Sequence, residues 1–178
     1  MEFIKKNYQS LIKKAKHWQN PNENPTEFDK YAFNLLDKAE VDLFIEFMEL
    51  NNVNIHVVDF NKASLLMKAQ GIPSYSNQHT NLLSKEELIN RSVKAINYLV
   101  KKGIDINFAN KNGMTALISA SHWGYYPIVE TLLLHGANPN INSTGPGFKT
   151  NALFSSYFKK NLDVAKLLLS YGANPEEV

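Results

Sequence analysis

The chain repeats part of its own sequence near the C-terminus. The segment GANP at residues 136–139 returns thirty-six residues later, at 172–175, each time just after a run of leucines. Thirty-three residues before Gly136, Gly103 closes a looser copy of the same pattern. A period of this length is typical of proteins built as a stack of small helical units, in which each unit contacts its neighbours. The period therefore constrains the fold more than any single residue does.

One complete unit, residues 110–142, predicts a turn followed by two helices. Gly113 favours a turn with positive φ, and Thr115 is suited to cap a first helix that ends at Gly124. Gly136 is suited to end the second helix in the left-handed conformation. Apolar residues at helical spacing give each helix one buried face. The unit is thus predicted to be a pair of antiparallel helices.

This unit resembles the ankyrin repeat, in which a turn with Gly precedes a Thr-Pro-Leu-His helix start and a Gly-Ala-Asp-x-Asn close. Here the start reads Thr-Ala-Leu-Ile at 115–118 and the close reads Gly-Ala-Asn-Pro-Asn at 136–140. Because Ala116 and Ile118 replace the usual Pro and His, the side-chain network made by that His is absent. The resemblance implies an all-α ankyrin-repeat solenoid of about four helix-turn-helix repeats with an extra N-terminal helix.

We expect residues 1–178 to form a single domain. Its predicted parts are a capping helix at 1–20, a degenerate repeat at 26–58, a degenerate repeat at 59–109 with an insertion at 71–84, a repeat at 110–142 and a C-terminal repeat at 143–178. The insertion is predicted because turn-forming residues surround Pro73 before Ser84 begins a capping box and a long helix. The pair Asn51-Asn52 is expected to replace the closing Gly of the first repeat, since Asn also tolerates the left-handed conformation.

The composition limits the chemistry that is available. The chain has no cysteine, which excludes disulfides, thiolate metal ligands and a cysteine nucleophile and fits a reducing, cytoplasmic location. Its five histidines lack metal-ligand spacing, so we expect neither a metal nor a cofactor. The formal net charge of +2 is too small to favour nucleic acid binding. Residues 1–20 lack the apolar run of a secretory signal, and no transmembrane segment is expected.

Two patterns that could indicate catalysis or phosphate binding are rejected. Ser119 and His122 lie one helical turn apart, but no carboxylate is placed to orient the imidazole and no oxyanion hole is indicated. The loop at 142–150 contains glycines, a lysine and a threonine, yet it lacks the spacing and the preceding strand of a P-loop. The chain is therefore not expected to be an enzyme.

The resemblance implies where a partner would bind, because ankyrin proteins usually bind partners through turn tips and exposed positions of the first helix. The matching positions are Phe60, Asn61, Lys111, Asn112, Met114, His122, Trp123, Phe158 and Lys159. Tyr75 and His79 in the insertion, and Phe148 in the loop at 142–150, are added because loops on a rigid scaffold often carry function. Exposed aromatic residues in register are typical interface anchors. The alternative is that Trp123 and Phe158 pack against neighbouring repeats.

We therefore predict a non-enzymatic protein–protein interaction module. A more specific hypothesis is an inhibitor, such as an immunity protein that neutralises a toxin; an adaptor, a chaperone-like accessory protein or a host-directed effector are alternatives. A different class is a membrane-surface or nucleic-acid binder that uses the N-terminal helix, whose five lysines lie opposite an apolar face. The same helix would equally serve as an end cap that is apolar inward and polar outward.

Overall fold

The computed structural model describes residues 27–51, 53–59, 62–75, 83–145 and 149–177, and in these ranges it contains eight α-helices. They are α1 (Glu27–Asp37), α2 (Val41–Leu50), α3 (Leu65–Tyr75), α4 (Lys85–Lys101), α5 (Ala116–Trp123), α6 (Tyr126–Leu134), α7 (Ala152–Phe158) and α8 (Leu162–Ser170). A short 3-10 helix, Pro175–Glu177, follows α8. The predicted capping helix at 1–20 lies outside the described residues.

The helices form two stacked layers. The first helices of the four pairs, α1, α3, α5 and α7, contact one another in order and form the inner layer, while α2, α4, α6 and α8 form the outer layer. Apolar side chains at helical spacing fill the space between the layers, among them Phe44, Leu66, Leu99, Leu117, Leu132, Leu153 and Leu168. Each pair buries its apolar face against its neighbours, which confirms the all-α repeat stack. The repeat boundaries within it stay predictions.

Residues close to each helix end set where the helices begin and end. The Thr115 side chain accepts a hydrogen bond from the backbone N–H of Ile118 at 3.2 Å, which confirms the predicted N-cap of α5. Ser84 accepts one from the N–H of Glu87 at 3.1 Å at the start of α4. Such a cap is worth about 1 kcal/mol. Gly136, after α6, has the predicted left-handed backbone with φ of +85°.

The turn predicted around Pro73 is wrong, because α3 continues through Pro73 to Tyr75; the bounds of the insertion stay a prediction. A proline inside a helix leaves the carbonyl four residues earlier without its usual N–H donor. Here that carbonyl belongs to Ala69, and it accepts a hydrogen bond from the Ser92 hydroxyl of α4 at 2.6 Å. Ile72 is fully buried beside it. Packing against α4 thus compensates for the proline and extends the helix.

The prediction of a left-handed closing residue is wrong for Asn51, and Asn52 lies outside the described residues. Asn51 has an extended backbone, with φ of −127°, rather than a left-handed one. Its side-chain amide instead donates to the carbonyl of Phe47 at 2.8 Å and so satisfies the helix end directly. Left-handed residues other than glycine occur where a first helix turns into the second, at Ala39 and Lys160.

Asparagine side chains join neighbouring repeats at their turns. The side-chain oxygen of Asn107 accepts the backbone N–H of Asn138 at 2.8 Å, and that of Asn140 accepts the N–H of Asn174 at 2.8 Å. The Asn140 amide also donates to the carbonyl of Gly172 at 3.0 Å. These bonds satisfy turn backbone groups that the helices leave unpaired. They fix the spacing of the last three repeats at the turn side of the stack.

Candidate protein-binding surface

The inner helices α5 and α7 each end in an exposed aromatic residue. Trp123, the last residue of α5, is 53% exposed, and Phe158, the last residue of α7, is 68% exposed. Gly124 follows Trp123 with a left-handed backbone, so the chain turns away directly after the aromatic side chain. At least half of each side chain is open to solvent, which favours a contact role over packing against neighbouring repeats.

We call four side chains at the ends of these two neighbouring helices the aromatic patch: His122, Trp123, Phe158 and Lys159. The His122 and Trp123 rings meet edge to face with their centroids 5.3 Å apart. The Lys159 ammonium lies 5.8 Å from the centroid of the Phe158 ring, within the range of a cation–π contact. Sequence reasoning predicted all four residues, and the fold places Lys159 near enough to His122 for its charge to act on the imidazole.

The charge state of the aromatic patch follows from its packing. Burial, and then the positive charge of Lys159, hold the pKa of His122 below its ordinary value of 6.5. Both effects disfavour the protonated imidazole, so His122 is neutral at physiological pH. Lys159 therefore supplies the positive charge of the patch under those conditions.

Asn161 holds the two helix ends together. Its side-chain amide donates to the carbonyls of Ser121 and His122, at 3.0 and 3.1 Å. These carbonyls lie in the last turn of α5, where the helix itself offers no backbone N–H group to bond them. A Cβ added at Gly124 would lie 2.6 Å from the Asn161 side chain, so the close approach depends on glycine. Sequence reasoning missed Asn161; the signal for it was a strong hydrogen-bonding residue directly before the last helix.

The turn tip of the third repeat presents the predicted residues Lys111 and Asn112 to solvent. The side-chain oxygen of Asn110 accepts the N–H groups of Asn112 and Met114, at 2.9 and 3.1 Å, and fixes the tip. Met114 is half-buried against the core beside the buried Thr115. The prediction of Met114 as an exposed contact is therefore only partly met.

The loop at 142–150 packs onto this tip. The backbone N–H groups of Thr144 and Gly145 donate to the carbonyl of Asn112 at 3.1 and 2.9 Å. Ser143 and Thr150 close the base of the loop, since the Ser143 N–H donates to the Thr150 carbonyl at 2.8 Å and the Thr150 N–H returns a bond to the Ser143 hydroxyl at 3.0 Å. The tip and the aromatic patch lie at opposite ends of α5, roughly 12 Å apart along the helix axis.

Several predicted contact residues lie outside the described residues. They are Phe60, Asn61, His79 and Phe148; Tyr75 ends α3 by its backbone, but its side chain is outside the description as well. The lysine-rich N-terminal helix, and with it the membrane or nucleic-acid alternative, is outside too. Contact of these residues with a partner stays a prediction.

The last repeat exposes apolar residues that sequence reasoning missed. Tyr157 is 52% exposed and occupies the position that the fully buried Ser121 holds in the preceding repeat. Leu169, 39% exposed, likewise corresponds to the buried Leu133. The missed signal was the replacement of a small residue by a large aromatic one at the same place in the repeat.

The other chemistry considered from the sequence has different roles in the structure. Ser119, weighed with His122 as a catalytic pair, accepts a hydrogen bond from the Gln70 side chain at 3.0 Å and links α5 to α3. Within the described ranges no three potential ligands are grouped as a metal site. Of the helices described here, none has the length and apolar character to cross a membrane.

A stack of short helix pairs with fixed turn tips defines a helical repeat protein, a class that presents an extended preformed surface. The chain belongs to the ankyrin repeat family: the family model for ankyrin repeats (3 copies) matches residues 38–143. Ankyrin repeats generally mediate protein–protein interaction and are typically non-enzymatic.

Relatives from very different organisms share the repeat. A putative ankyrin repeat protein of Borreliella burgdorferi is 33% identical over 168 residues, which are 93% of this chain and 32% of that protein. One from fowlpox virus is 37% identical over 84 residues, covering 46% of this chain and 24% of the relative. One from Acanthamoeba polyphaga mimivirus is 29% identical over 111 residues, or 62% and 14% of the two chains. The chain thus spans a third or less of the length of these relatives.

Proposed function

We propose that the chain binds one partner protein through its inner layer, with the aromatic patch at the centre of the contact and the tip at Lys111 and Asn112 at its edge. The observation that carries the proposal is the exposure of Trp123 and Phe158, at 53% and 68%. Both residues lie at the ends of neighbouring inner helices, and aromatic residues supply much of the energy at interfaces.

The fixed scaffold beneath the aromatic patch supports the proposal. Asn161 ties the end of α7 to the end of α5, and Gln70 ties α3 to α5. Association costs less free energy when the binding groups are held in place before the partner arrives. Trp123 adds a large, rigid contact area with few rotatable bonds, so little side-chain entropy is lost when it is covered.

A finer form of the proposal makes the chain an inhibitor, such as an immunity protein that neutralises a toxin in the cytoplasm. A preformed surface suits an inhibitor because rigid binding sites favour slow dissociation. The test is co-expression with the product of the neighbouring gene: wild type should restore growth and Trp123→Ala should not. Growth arrest that neither form relieves, or a neighbouring product that is harmless alone, would contradict the inhibitor role.

Capture from a lysate of the source cell tests the broader proposal. Immobilised wild-type protein should retain a partner, and Trp123→Ala should lose it. Leu134→Ala is the matched control, because Leu134 is 68% exposed but lies at the end of the outer helix α6. That variant should keep the partner.

Thermal and urea unfolding separate a lost contact from a lost fold. Because more than half of the Trp123 side chain is exposed, Trp123→Ala should lower the free energy of unfolding by about 1 kcal/mol or less. A loss of several kcal/mol would show that the ring stabilises the core. Equal capture by wild type and Trp123→Ala would place the binding surface elsewhere.

A further inference from the structure

The inner helices α5 and α7, with the loops that lead into them, carry positive charge and no carboxylate; exposed carboxylates stand outside these segments, among them Asp105 and Glu176. Residues 106–126 and 138–161 supply these elements, and neither segment contains an aspartate or a glutamate. Their lysines are Lys111, Lys149, Lys159 and Lys160. These two segments therefore carry only positive formal charge, although the whole chain has a net charge of only +2.

The lysines of these segments are not neutralised within the described residues. Lys111, Lys159 and Lys160 are exposed and form no ion pair with a described carboxylate. In the first two repeats, by contrast, cations and carboxylates pair across the helices. The described pairs there are Asp37 with Lys68, Asp59 with Lys68, Asp42 with Lys94, Glu49 with Lys102 and Glu87 with Arg91. These ion pairs between described residues thus lie in the first two repeats, and Lys111, Lys159 and Lys160 of the last two take part in none of them.

Charge complementarity decides the chemistry of that partner. Free cations around an exposed apolar centre attract opposite charge, increase the association rate and repel basic surfaces. We infer that the partner presents an acidic protein segment, with an apolar side chain against Trp123 and Phe158 and carboxylates facing Lys159 and Lys160. This inference rests on the proposed function and adds the character of the surface that is recognised.

A nucleic acid is the other polyanion to consider, and the residues present favour a protein. The single arginine of the chain, Arg91, lies on the outer helix α4 and pairs with Glu87. The inner face therefore lacks the planar guanidinium groups that bind phosphates and base edges in pairs. Its cations are also split between the tip at Lys111 and the patch at Lys159, at opposite ends of α5.

Selection from a random-peptide library displayed on phage tests the inference. The wild-type protein should enrich peptides in which aspartate or glutamate neighbours an apolar residue. Lys159→Glu should lower the affinity for the selected peptides by about tenfold. Lys166→Glu is the matched control, since Lys166 is an exposed lysine of the outer helix α8 and its replacement changes the net charge equally; it should leave the affinity unchanged.

Three results would overturn the inference: selected peptides that are neutral or basic, equal weakening by Lys159→Glu and Lys166→Glu, or no peptide selected above an unrelated protein. Tight binding of a single-stranded oligonucleotide that Lys159→Glu abolishes would also overturn it in favour of nucleic acid. Trp123→Ala separates the two proposals. If neutral peptides are selected and Trp123→Ala loses them, recognition at the aromatic patch stands and only its acidic preference fails. If the selected peptides bind Trp123→Ala unchanged, the patch itself fails.

Discussion

Replacing Gly113 by alanine should destabilise the protein far more than the same change at Gly136, although both glycines have a left-handed backbone, with φ of +72° and +85°. A Cβ added at Gly136 would meet nothing within 4 Å. One added at Gly113 would lie 2.2 Å from the backbone nitrogen of Thr144 and 2.7 Å from its hydroxyl oxygen. The pair of variants therefore separates backbone strain from the contact between the tip and the loop at 142–150.

The expected magnitudes follow from these contacts. A left-handed alanine costs about 1–2 kcal/mol at either position. At Gly113 the loop backbone must also move away, which breaks the hydrogen bonds that Thr144 and Gly145 donate to the Asn112 carbonyl. Each such bond contributes about 1 kcal/mol. Gly113→Ala should thus lower the free energy of unfolding by about 3–4 kcal/mol and Gly136→Ala by about 1–2 kcal/mol.

Urea unfolding followed by far-UV circular dichroism measures both values, provided that the denaturant slope of each variant matches that of the wild type. A difference of about 2 kcal/mol between the variants is the predicted result. Equal losses would refute the reasoning, because they would mean that the loop does not pack on the tip. A larger loss for Gly136→Ala would refute the contact analysis altogether.

Further predictions concern single contacts. Thr115→Ala should lower the free energy of urea unfolding by about 1 kcal/mol through loss of the α5 cap, and an unchanged value would contradict that cap. In a proton NMR titration, His122 should titrate below its ordinary pKa of 6.5, and Lys159→Met should raise that pKa. Because the pKa of His122 is lower in the folded state than in the unfolded state, the free energy of unfolding of the wild type should fall as the pH drops below 6.5. The fall should be smaller for His122→Gln. Asn140→Ala should speed amide hydrogen exchange in α7 and α8 more than in α3, since Asn140 joins the last two repeats at Gly172 and Asn174; uniform exchange rates would argue against such a link.

Local chemistry accounts for the predictions that hold. The Ile118 N–H donates its hydrogen bond to the hydroxyl of Thr115, three residues earlier in the chain. The turn at Gly136 requires only the positive φ of that glycine. Short-range rules of this kind are readable from sequence because they need no knowledge of the neighbouring repeats. Pro73 shows where such rules fail: read alone it ends a helix, but the Ser92 hydroxyl, from another helix, satisfies the Ala69 carbonyl.

The sequence by itself determined the repeat stack and the ends of its regular helices, because both follow from spacing and from contacts within one helical turn. The residues of the aromatic patch came from the resemblance to ankyrin repeats, and their contact with a partner stays a prediction. Only the tertiary structure decided that Trp123 and Phe158 are exposed, that Lys159 lies near enough to lower the pKa of His122, and that Asn161 joins the two helix ends. Exposure and electrostatics depend on which face the neighbouring repeat covers, and the packing of the whole stack sets that face.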